Sequence, residues 1–332
     1  MLDSESSLRL NLLRFPLIIG VVFMHAYEST AVFAGNEIGV SQPNFFATFV
    51  RNFISQGVAR TAVPLFFLMA GYLFFARFEW SKEGYILKLR ARTKTLLVPY
   101  VFWNIAALSI IALGQAMPVT QIYFSGKIPL IASFNGFDYL KAITAFNPTG
   151  SPIAYQFWFI RDLMILVLLV PLINLSLKVA PLPFLGIILL CWFLGVWPFL
   201  APSSEATLFF CAGSYLALMH KSLFAVDKYV SILVLPYLII VAFNAIFIKH
   251  PFNPFLHKFG IILGVLVALF MTKFLVRTES LKSFILWLSS ASFFVFAIHE
   301  PLLRILRKVS YKVISPDSSA LILLLYFVLC LQ

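Results

Sequence analysis

The chain has 332 residues, of which 61% are hydrophobic and 11% charged, with a formal net charge of +12. A soluble domain carries roughly 25% charged residues, so this chain lacks the polar groups to cover a soluble surface; composition excludes a soluble enzyme, a disordered chain and a nucleic-acid-binding domain. Its apolar content is roughly what ten membrane spans of about 20 residues need. The positive charge is dispersed between apolar runs, and reads as the Lys and Arg excess that orients membrane proteins and meets anionic lipid heads.

The first apolar run covers 8–32. It carries Arg14 and His25 and has no small-residue cleavage site behind it, so it reads as a retained span rather than a signal peptide. The next runs are 59–78, 96–116, 155–175, 182–200, 206–219, 230–248, 259–275 and 284–303. A last run, 320–332, is too short to cross about 30 Å of hydrocarbon at 1.5 Å per residue. The expected fold is an all-α polytopic membrane protein of about ten transmembrane helices, the last incomplete, forming a single domain over 1–332. The short 79–94 loop is strongly basic and belongs on the cytoplasmic side, which puts the N-terminus there too. The longest polar insertion, 117–154, then faces outward; its Gly and Pro content reads as irregular structure. Cys191, Cys211 and Cys330 all fall inside apolar runs, giving neither a disulfide framework nor a zinc spacing, and no metal site is expected.

Ionisable groups at membrane depth are costly and mark function. Arg14 and His25 are eleven residues apart, close to three helical turns, so they share one face about 16 Å apart along the axis. On the orientation above, Arg14 lies near the inner leaflet and His25 near the outer, with Glu28 one turn beyond. Arg60 opens the second span on the outer side, and Arg161 and Asp162 enter the fourth from the same side. His299 and Glu300 lie near the end of the ninth. Four spans thus bring His, carboxylate and Arg to one depth, which fits a buried catalytic site. On the inner side, Lys88, Arg90, Arg92 and Lys94 alternate ahead of the third span. Such a run either holds a phosphate-rich ligand or sets topology against anionic lipid.

Five blocks, in order, resemble acyltransferase family 3, membrane proteins that acylate sugars of bacterial surface polysaccharides. They are Arg14 to His25 with ten residues between; Arg-x-x-Val-Pro-Leu-Phe-Phe-Leu-x-x-Gly-Tyr from Arg60 to Tyr72; the basic run into Leu96-Leu97-Val98-Pro99-Tyr100; Phe157 to Leu163; and His299-Glu300-Pro301-Leu302. The family commonly has Ser where this chain has Ala70, and the chain is similar to the shorter, stand-alone members. The resemblance implies a multi-pass protein of the bacterial inner membrane. It implies acyl-CoA, most simply acetyl-CoA, as a cytoplasmic donor substrate with no tightly bound cofactor. The acceptor would be a polysaccharide or lipid-linked sugar on the outer side. His25 would act as general base toward the acceptor hydroxyl or as an acyl-carrying nucleophile. Arg14 would stabilise the donor or its path, Arg60 the oxyanion, and Asp162 and Glu300 would orient the His or the acceptor. His299 joins them as a candidate catalytic group, and Lys88, Arg90, Arg92 and Lys94 would hold the donor phosphates. The rival reading is a secondary transporter or flippase for a lipid-linked sugar or small solute, which also needs ionisable groups at membrane depth.

Overall fold

The computed structural model describes residues 3–33, 36–76, 81–121, 129–145 and 150–331. Residues 79–80 of the inner loop, and 122–128 and 146–149 of the outer insertion, lie outside that set. The first helix, α1, spans Ser4–His25; the Asp3 side chain starts it by accepting from the Ser6 amide at 2.5 Å. The first apolar run does not continue as helix. Thr30–Phe33 and Asn36–Gly39 form a two-stranded antiparallel hairpin, β1–β2. Its Ala31, Ile38 and Val40 pack on Tyr311, Ile322 and Leu325. The Thr-Ala-Val-Phe sequence is as suited to a strand as to a helix end, and the helix stops at His25 instead of at 32.

The helices that follow shape the site. Helix α2 is the span Phe45–Phe75, and α3 the span Lys82–Ala116. Both are locally rewound. In α2 the chain is π-helical over Asn52–Gly57 and tightens to 3-10 geometry over Val58–Thr61; in α3 it is π-helical over Thr93–Leu97. Such rewinding re-aims side chains and is frequent at functional sites; Arg60 and Arg92 lie at these two points. The outer insertion is not wholly irregular. It contains α4, Gly136–Thr144, whose start is fixed by Asn135 and Asp138 in a reciprocal capping box. The fourth apolar run breaks into α5, Tyr155–Leu168, and α6, Val170–Val179, bent by 61°.

Helices α7 (Pro181–Leu194) and α8 (Ser204–Leu218) follow. Next come α9 (Asp227–Ile246) and α10 (Asn253–Leu275). The ninth run divides into α11, Glu279–Ser290, and α12, Ser292–Ile314, at a 63° bend; α13 is Ser319–Leu331. Five described helices are long and apolar enough to cross a membrane, or seven if each bent pair is one span. The expectation was ten. The difference lies in α7, α8 and α13, with 14, 15 and 13 residues; at 1.5 Å per residue each falls short of a 30 Å crossing.

The core joins α1 to α2, α5, α8 and α10 through side chains such as Leu13, Leu17, Leu65, Leu166, Phe210 and Val265. The α2–α8 crossing has almost no space between backbones. A Cβ on Gly71 would stand 2.0 Å from the Phe210 carbonyl oxygen, and one on Gly213 2.0 Å from that of Leu68. Small residues permit this approach in membrane bundles. Arg9 anchors the start of α1. Its guanidinium donates to Thr272 Oγ1 (2.7 Å), Asp227 Oδ2 (2.7 Å) and the Leu269 carbonyl (3.0 Å), and stacks on Phe224. Outward faces carry Phe102, Leu113, Leu182 and Ile187 largely exposed to the surroundings, the face a lipid-bathed bundle presents. The chain is a multi-pass helical membrane protein.

Candidate functional site

The site is a cavity of about 890 Å³ lined from α1, α2, α3, α5, α8, α11 and α12. Arg14 and His25 both line it, so it runs along about 16 Å of α1. Arg92, Arg60, Glu28 and Glu300 share the wall. The sequence expectation of one shared face on α1 is therefore met, and four of the predicted elements converge on one space.

His25 closes α1. Its ring stands 5.0 Å from that of His299 and edge-on to Tyr155 at 5.6 Å. His299 is 4% exposed, and its Nδ1 lies 2.7 Å from the Phe296 carbonyl oxygen. Glu300 accepts from Arg304 Nε at 2.7 Å. Arg60 is held from one turn earlier in α2: its Nε and Nη2 donate to Gln56 Oε1 at 2.9 and 2.5 Å. This aims the guanidinium along the cavity wall without neutralising it.

Other predicted residues are placed elsewhere. Asp162 is fully buried but does not line the cavity. Its Oδ1 accepts from Arg161 Nη2 (2.7 Å) and Nε (3.1 Å), and its Oδ2 from the Ser203 amide (2.8 Å). Arg161 also donates to the Gly150 carbonyl. The pair ties α5 to the start of α8, a structural arrangement satisfied on every side. Of the four inner cations, Arg92 alone lines the cavity. Lys88 donates to the Phe74 carbonyl and lies over the Phe74 ring. Arg90 and Lys94 are exposed.

Several lining groups were not among the candidates. Glu205 sits in the first turn of α8 and lines the cavity. Arg304 and Arg307 follow the His299-Glu300-Pro301-Leu302 block in the sequence. In the structure they continue a stripe of cavity-lining residues, Phe293, Phe296, Glu300, Arg304 and Arg307. Steps of three and four put these on one helix face, and that spacing was the available signal. Ala70 also lines the cavity, so the Ser common in the family would add a hydroxyl there. Among the described residues, no three His, Cys, Asp or Glu side chains form a metal-binding group.

Chemically, the cavity offers imidazole, carboxylate and guanidinium groups around one space, the set that acyl transfer uses for base and oxyanion roles. The chain matches the sequence model of acyltransferase family 3, described as an acyltransferase domain, over residues 7–331. It is also similar to the succinoglycan biosynthesis protein ExoH of Rhizobium meliloti (strain 1021), at 28% identity over 176 residues. That alignment covers 52% of this chain and 44% of the relative. No solved structure matches it. With its family match extending from before Arg14 to the end of α13, the chain belongs to the acyltransferase family 3 membrane proteins.

Proposed function

We propose that the chain is an O-acyltransferase of a bacterial inner membrane, with its N-terminus cytoplasmic. It moves an acyl group, most simply acetyl, from cytoplasmic acyl-CoA to a sugar hydroxyl of a surface polysaccharide or lipid-linked glycan on the outer side. The observation that carries this reading is the single cavity reaching along α1 from Arg14 to His25, with Arg92 also on its wall. A thioester tethered by its phosphates at one end can extend its acyl group to a base at the other. The relative's role in succinoglycan biosynthesis supports a polysaccharide acceptor.

His25 takes the proton of the acceptor hydroxyl as that oxygen attacks the thioester carbonyl. The C–O bond forms, the carbonyl oxygen gains charge, and Arg60 is the cation suited to stabilise it. The C–S bond then breaks, and the coenzyme A thiolate recovers the proton from the imidazolium. Glu300 and its partner Arg304 are suited to hold the acceptor.

Release of free thiol from acetyl-CoA by the detergent-purified protein, with and without a saccharide acceptor, tests the reading. Thiol release dependent on acceptor and abolished in His25→Ala, at unchanged thermal stability, is expected of the enzyme. A transporter or flippase gives no thiol release at all. Full activity of His25→Ala removes His25 as base.

A further inference from the structure

His299 is fixed in a way that defines what it offers to its neighbour. Its Nδ1 lies 2.7 Å from the Phe296 carbonyl oxygen. A carbonyl only accepts, so Nδ1 carries the hydrogen, and in the neutral ring Nε2 presents a bare lone pair. That Nε2 is buried and has no hydrogen-bond partner among the described residues. A buried acceptor without a donor is destabilising and calls for an explanation. The ring beside it is His25, at 5.0 Å between centroids and 58° between planes. A centroid separation of 5.0 Å is what two imidazole rings sharing an N–H···N hydrogen bond have when nitrogen faces nitrogen. Catalytic hydrogen bonds are commonly long before substrate binds.

We propose that His299 is the positioning residue of His25: through Nε2 it accepts the His25 N–H and so fixes the His25 tautomer whose other nitrogen bears a lone pair toward the cavity. This rests on the reading of His25 as general base and assigns its missing orienting partner. Base catalysis by imidazole needs such a partner, because only one of two neutral tautomers offers its lone pair to the substrate. Tyr155 packs edge-on against the same ring at 5.6 Å, which limits the rotations left to it. Glu300, the next residue along α12, is engaged with Arg304, and Asp162 is engaged with Arg161 and Ser203.

Two variants test the assignment. His299→Phe keeps a ring of similar volume and removes the acceptor; His299→Gln keeps a side-chain carbonyl. Removing the group that orients a metal-bound His typically costs about 10- to 100-fold; by analogy His299→Phe should lose about that much in kcat, with both KM values within about twofold. His299→Gln should recover most of it. A packing role predicts equal loss in both variants, tracking thermal stability. Nitrogen-15 spectra of ring-labelled histidine, with His25 assigned by difference from the folded His25→Ala protein, give a readout that does not depend on either His299 variant folding. A single His25 tautomer in the wild-type protein is expected; comparable populations of both would overturn the proposal. Full kcat in His299→Phe, alongside an inactive His25→Ala, would sink this assignment and leave the base reading standing. An active His25→Ala would remove both.

Discussion

Arg92 differs from its neighbours in where its side chain ends. Lys88 is held at the Phe74 carbonyl, Arg90 and Lys94 face outward, and Arg92 reaches the cavity wall. If the donor's phosphates are bound there, the contact acts alike in ground and transition states and appears mainly in KM. A charge-assisted hydrogen bond contributes about 1.5–3 kcal/mol, so Arg92→Gln should raise the donor KM roughly ten- to a hundredfold. Arg90→Gln and Lys94→Gln should stay near wild type. Donor titrations of correctly inserted protein decide it; equal effects at all three positions would make the run a diffuse electrostatic surface, sensitive to salt. At this scale the sequence was legible where helical spacing carried the information. Arg14 and His25 share a face because eleven residues complete three turns, and both meet the cavity. It was not legible where a tertiary partner decides the role. Asp162 looks like His299 or Glu300 in sequence; a neighbouring ion pair with Arg161 is readable there, but nothing local announces that the Ser203 amide takes its other oxygen.

Elements meet through a small number of buried polar anchors. Arg9 ties α1 to α9 and α10, and the Arg161–Asp162 pair ties α5 to the N-terminus of α8. Removing one member of a buried pair strands the other charge and costs about 3–5 kcal/mol. Asp162→Ala should therefore lower the unfolding temperature sharply, while activity per folded molecule stays near wild type. The double variant Arg161→Met/Asp162→Ala should recover part of the loss, because no bare guanidinium remains. Thermal unfolding and turnover measured on the same preparations check this. A stable Asp162→Ala that has lost turnover would return Asp162 to the reaction. Hydropathy located most of these elements but not their interruptions. The bend between α5 and α6 falls at Leu169, ahead of Pro171, and that between α11 and α12 at Ala291. Both stay apolar enough to read as continuous runs. The hairpin after His25 escaped for the same reason: Thr30–Phe33 is apolar, and hydropathy does not distinguish a strand from a helix end.

Across the whole molecule, the cavity makes sidedness the decisive property. A cytoplasmic thioester and an external sugar can meet at His25 only if the Lys82–Arg92 segment lies inside and α4 outside. The Lys and Arg density ahead of α3 favours that arrangement. Two exposed positions report on it, Glu83 in the basic segment and Ser133 just before α4. In a Cys191→Ala background, which removes the half-buried thiol and leaves the buried Cys211 and Cys330, each is replaced by cysteine in turn. A membrane-impermeant maleimide added to intact spheroplasts should label Ser133→Cys and spare Glu83→Cys. Lysis should then expose Glu83→Cys. The opposite pattern would invert the chain in the membrane, place His25 at the cytoplasmic leaflet, and require donor and acceptor to approach from the sides opposite to those proposed.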